Sequence, residues 1–263
     1  MKPSRERGFA LLIVLWSMVL LALMITTLLA NGRTAITLAG NVRDAASAGA
    51  RADGAINEAL FHALATGAQH WAPDGSWHDL PEGVRVRVTT LGGLINPNLA
   101  STNLLAGVLQ ACGADEAQAK RLAAAIIDWR SPPLSEAAET ARAQTYRRAR
   151  LKFSPPGTAF SDLAELKDVL GMTPALLQAM LPYMSLYQTD DPDPALSSPL
   201  VRRALELAND PGALHDGYRG SFPTVEIEAE AGPGRAMVHR HGVFSLAGTD
   251  SPHPYSVMQL GGG

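Results

Sequence analysis

Arg7-Gly8-Phe9-Ala10-Leu11-Leu12-Ile13-Val14-Leu15-Trp16, continuing without a charge to Ala30, is the stretch whose reading decides the fold. At ~1.5 Å of helical rise per residue, a run from Phe9 to Ala30 is long enough to cross a ~30 Å hydrocarbon layer. Lys2, Arg5 and Arg7 stand before it against a single acid, Glu6. That positive flank stays on the cytoplasmic side and sends the rest of the chain across. A cleaved secretory signal fits poorly. The apolar run is too long, and Leu28 stands where a cut after Ala30 wants a small residue.

The Arg7-Gly8-Phe9 junction resembles the processing signal of prepilins, in which a short basic leader ends in glycine just before the apolar run. Glycine suits that place because it lets the backbone approach a peptidase closely. The resemblance implies cleavage between Gly8 and Phe9 by prepilin peptidase and methylation of the new amine on Phe9. It also implies a glutamate at the fifth mature position, where this chain has Ile13. In that family the glutamate meets the N-terminal amine of the subunit assembled before it. A carboxylate in a bilayer is costly without such a partner. Ile13 at this subunit-contact position therefore points to a subunit with no predecessor, at the tip of a filament.

The helical pattern continues past the apolar run. Ile36, Ala39, Val42, Ala46, Asp53, Ile56, Leu60 and Leu64 recur at three- and four-residue spacing, with Asp53 the polar interruption. Gly67 is the expected stop. A single helix over 9–66 is a spine, its first half in lipid and its second half packed on a sheet. Val84-Arg85-Val86-Arg87-Val88 alternates as a strand. Strand signals return only near Phe222, with Val225, Ile227 and Ala229 alternating with Glu226, Glu228 and Glu230. A second strand carries Val238, Phe244 and Leu246 on one parity, broken by Arg240, and a last one runs over 255–260. Arg85 and Arg87 are expected to face the three glutamates across neighbouring strands.

Between the split strands the sequence reads as helices over 104–108, 116–129, 163–170, 174–180 and 200–208. Asp115 and Thr173 are candidate caps, and Ser161-Asp162-Leu163-Ala164-Glu165 opens with a capping pattern. A faint repeat relates Asn96-Pro97-Asn98-Leu99-Ala100-Ser101 to Asp193-Pro194-Ala195-Leu196-Ser197-Ser198. Each sets an Asn/Asp-Pro turn and a hydroxyl cap before a leucine-bearing helix.

The expected fold is therefore α+β: a pilin-like long N-terminal helix packed on a small antiparallel sheet, with a large inserted all-α domain. Its divisions are a leader (1–8), a transmembrane half-spine (9–30), a pilin-like domain (31–94 and 218–263) and a helical insert (95–217) with two hairpin-like units.

Taken together, RGFALLIVLW, INPNLASTNLL, AAAIIDWR and FSDLAELKDVLGM, in that order, resemble the minor pseudopilin K family of type II secretion systems. The resemblance implies a non-enzymatic subunit of the inner membrane, with a cytoplasmic N-terminus and a periplasmic C-terminal domain. Its implied partners are minor pseudopilins I and J, the major pseudopilin and prepilin peptidase. The implied role is to initiate or cap the pseudopilus that drives folded proteins across the outer membrane. The alternative is a DNA- or surface-binding tip pilin of a related filament.

The resemblance also implies an acidic, calcium-binding loop after the Asp-Trp pair. The residues that match it here are Asp128, Glu136 and Glu139, while Ser131, Pro132 and Pro133 occupy the places of its usual aspartates. Calcium needs six to eight oxygens, and it is the one candidate cofactor.

Composition narrows the field further. The chain has 263 residues, a net charge of -3 and 46% hydrophobic residues. That balance gives no bulk reason to expect nucleic acid. The lone Cys112 forms no internal disulfide. His239 and His241 share a strand face, but no third ligand is placed beside them. Arg142, Arg147, Arg148, Arg150 and Lys152 read as a solvated helix face, and Asp190, Asp191 and Asp193 as an extended linker. No nucleophile elbow, phosphate loop or HExxH zinc motif is present.

Overall fold

A computed structural model describes residues 6–208, 223–233, 237–247 and 251–262. Helix α1 runs over Glu6–Leu64. Among the described residues, its buried side chains all lie in the last third. Ala48, Ala52, Ala55, Ile56, Ala59 and Leu60 are buried, at the three- and four-residue spacing of one helix face. That face is mostly alanine, so the helix axis lies close to the sheet. Ile36, Leu38 and Val42, further up the helix, are exposed.

The sheet has five antiparallel strands in sequence order: β1 (Asp74–Leu80), β2 (Val84–Thr90), β3 (Thr224–Ala231), β4 (Val238–Leu246) and β5 (Tyr255–Gly262). Strand alternation puts Val84, Val86 and Val88 of β2 with Val225, Ile227, Ala229 and Ala231 of β3 on the face covered by α1. Phe244 and Leu246 of β4 complete that layer. Strands β2 and β3 pair over their whole length although far apart in sequence. The long excursion between them forms the helical insert.

The insert holds α2 (Thr102–Ala111), α3 (Glu116–Arg130), α4 (Glu136–Arg148), α5 (Pro174–Met180) and α6 (Pro199–Ala208), with a 3-10 helix over Leu163–Asp168. Its own core is built of larger side chains, among them Leu104, Leu105, Leu109, Ile126, Trp129, Tyr146, Phe160, Leu166, Met180 and Leu205. Helices α2 and α6 cross at Gly107, where an added Cβ would lie 2.3 Å from the Ala204 carbonyl oxygen. Only glycine permits that approach. The two resembling stretches adopt the same turn. Asn96 Oδ1 accepts from Asn98 N, and Asp193 Oδ1 accepts from Ala195 N, each at 2.8 Å. Ser101 and Ser198 then cap α2 and α6 through the N–H groups of Leu104 and Val201.

The α+β architecture is as expected, with differences in detail. Strand β1 is an addition to the expected sheet. Its sequence DGSWHDL lacks apolar alternation, and it is held by pairing to β2 and by Trp77. The indole of Trp77 lies under Arg85 and Arg87, 5.0 and 4.8 Å from its centroid. The expected 163–170 helix is instead a 3-10 helix over Leu163–Asp168, opened by a capping box between Asp162 and Glu165. Glu136 and Glu139, read as loop residues, open α4 instead. The expected boundary at 217/218, residues 1–5 of the leader and the turn residue Gly234 lie outside the described residues.

Candidate assembly and loop sites

The first candidate site is the bare half of α1. Gly8 and Phe9 both lie within the helix. Phe9 is 68% exposed and Ile13 52%, and the apolar side chains from Leu11 to Ile25 are exposed likewise. Large aliphatic groups left in water on this scale mark a surface that is covered in use. Among the described residues, no helix is long and apolar enough to cross a membrane; the side chains of Ala10 and of residues 27–35 are outside that description.

Two charges that broke apolar faces in the sequence meet each other. Asp53, on α1, and Arg240, on the helix-facing side of β4, pair at 3.0 Å, and Arg240 Nη2 lies 3.2 Å from where a Cβ on Gly49 would be. Sequence periodicity marked both residues as interruptions but had no means of pairing them.

The opposite face of the sheet carries an ion ladder. Arg85 pairs with Glu230 and Arg87 with Glu228 across β2 and β3. The third rung places Thr89 opposite Glu226. Glu226 lines a cleft of about 390 Å³ against the insert, with Leu91, Leu94, Met184, Leu186 and His241. Burial first, and Glu228 second, push its carboxyl above the ordinary glutamate value, partly offset by His241 and Arg87. His239 reaches Glu230 at 3.4 Å rather than joining His241 as a ligand pair. Cys112 is half-buried at the end of α2, and burial raises its thiol, which disfavours the reactive thiolate.

The third candidate is the turn between α3 and α4. Asp128 lies in the last turn of α3, and its Oδ1 meets Arg142 Nε at 2.5 Å. Arg142 Nη1 also donates to the Ser131 carbonyl oxygen at 2.8 Å. Arg130, next to Trp129, donates to the carbonyl oxygens of Pro97 and Ala100 and ties α3 to the start of α2. Glu136 and Glu139 are exposed on the first turn of α4, where the helix dipole already favours negative charge. Among the described residues, no three His, Cys, Asp or Glu side chains come together as a metal site. With a guanidinium already on Asp128, these residues do not fit calcium.

A spine helix on a small antiparallel sheet, bare at the described side chains of its first half and carrying a helical insert, is a pilin-like architecture. Residues 88–189 match the family described as type II secretion system protein K. The chain thus carries a protein K domain, and the resemblance to minor pseudopilin K is borne out. Its fold is similar to that of a chain in the crystal structure of the GspK-GspI-GspJ complex from the type 2 secretion system of enterotoxigenic Escherichia coli. The two share 15% identity and a TM-score of 0.57, over 84% of this chain and 96% of that one. No curated protein matches. The role that follows is that of a minor pseudopilin in protein transport. The family matched over residues 88–189 is one of structural secretion-system components.

Proposed function

We propose that this minor pseudopilin sits at the tip of the pseudopilus, where it initiates or caps the filament. The bare half of α1 carries this reading: a long apolar surface that is exposed at its described side chains is built to pack on neighbouring helices and lipid. Residues 9–30 span the inner membrane, with the basic residues before them on the cytoplasmic side. Prepilin peptidase cuts between Gly8 and Phe9. Ile13 presents no carboxylate to a preceding subunit, which suits a first subunit. The helical insert between β2 and β3 adds bulk that a subunit within a regular filament would have to accommodate. The chain acts through assembly rather than catalysis, with minor pseudopilins I and J as neighbours, in keeping with the complex to which its fold is similar. The major pseudopilin then extends the filament below it.

Replacing Gly8 with leucine tests the processing step. The variant is expected to accumulate as the longer, unprocessed chain and to lose secretion. A Gly8→Leu chain that is trimmed and supports secretion normally contradicts the reading.

A further inference from the structure

The α3–α4 turn is held by a cation that belongs to the chain. The Arg142 guanidinium bridges the Asp128 carboxylate and the Ser131 carbonyl, at 2.5 and 2.8 Å. A carboxylate from a helix end and a carbonyl from the following turn are the two oxygen types that a hard dication takes from protein. The Arg142 side chain is only 17% exposed, so this contact is far from a loose surface pair. The turn is also packed from its other side. Gly157 donates its N–H to the Trp129 carbonyl oxygen at 3.0 Å. At φ +68, a Cβ on Gly157 would lie 3.2 Å from both Ser131 O and Pro132 Cα. Beyond the turn, Tyr146 of α4 accepts from Leu170 N at 3.2 Å, which ties the far end of the helix into the insert.

We propose that Arg142 acts as a built-in counter-ion that does the structural work of a bound metal at this turn, so that the insert folds and holds α4 independently of calcium. A dication brought to Asp128 would be repelled by the guanidinium and would have to displace it. Lysine is no equal replacement, because a point charge does not reproduce the planar fork that serves two oxygens at once. The inference stands on the geometry of the turn and holds whether or not the chain sits at a filament tip.

Hydrogen exchange of the full chain in detergent, followed at the amides of residues 129–140, tests it locally. Exchange there is expected to be the same in millimolar calcium chloride and in EGTA. Arg142→Gln is expected to speed it several-fold and to lower Tm by about 2–4 °C, the shift that ~1 kcal/mol gives a domain of this size. Arg142→Lys is expected to fall between wild type and Arg142→Gln. Slower exchange of the wild-type turn on adding calcium would overturn the proposal, as would an Arg142→Gln chain that exchanges like wild type. If Arg142→Gln fails to fold, the wild-type calcium comparison still decides.

Discussion

The two ends of α1 have similar helical backbones and opposite fates. From Ala48 to Leu60 one face of the helix is buried on the sheet, mostly through alanines. From Phe9 to Val42 the described large aliphatic side chains are at least half exposed, although they are bigger and more apolar. Burial of apolar area stabilises by about 25 cal/mol per Å², so the bare end leaves most of its hydrophobic free energy unrealised within one chain. The packed end makes a folded subunit. The bare end makes a subunit that needs neighbours. The sheet repeats the contrast, with valines under the helix on one face and a wet ladder of arginines and glutamates on the other.

The largest test of this contrast pairs two substitutions. Ala52 is fully buried against the sheet, so Ala52→Leu should overpack the interface and cost about 1–3 kcal/mol. Leu38 is exposed, so Leu38→Ala should stay within about 0.5 kcal/mol in the isolated chain while weakening association with other pseudopilins. Chemical denaturation of the full chain in detergent measures both. Equal losses would mean that the bare half is packed within the monomer after all.

Gly54 gives a smaller effect of opposite sign. A Cβ there meets nothing within 4 Å, so Gly54→Ala should stabilise the isolated subunit by up to ~1 kcal/mol through helix propensity. If the same change impairs assembly, a neighbouring helix approaches at Gly54. No stabilisation at all would indicate strain that the helix does not show.

Glu226 gives the smallest effect, and it depends on pH. Its carboxyl is raised in the folded state, chiefly by burial. Folding therefore favours the neutral form. The stabilisation is complete below the ordinary glutamate value and is lost as pH rises through the raised one. Glu226→Gln should melt above wild type at neutral pH and together with it below pH ~4. A variant that melts below wild type at neutral pH would mean that Glu226 is an ion-pair partner instead.

Much of this architecture is legible in the sequence, because it rests on periodicity. The spine, β2, β3 and most helices of the insert announce themselves by spacing, and the caps at Asp115 and Thr173 by residue type. Arg85–Glu230 and Arg87–Glu228 follow from strand parity. What stayed hidden depends on long-range contacts. Strand β1 has no apolar alternation, and only its partner strand and the arginines over Trp77 make it a strand. Helix α4 is charged all round, with Tyr146 its one buried residue, so it read as a loop followed by a basic face. The α3–α4 turn hides its partner in the same way: motif matching supplies Asp128, Glu136 and Glu139, but only the fold shows Arg142 closing on Asp128.

The most direct test of the central claim is co-purification of the full chain with minor pseudopilins I and J after detergent extraction from membranes. The account predicts that the three elute together at a fixed ratio. A chain that elutes alone, while I and J still associate with each other, would contradict it.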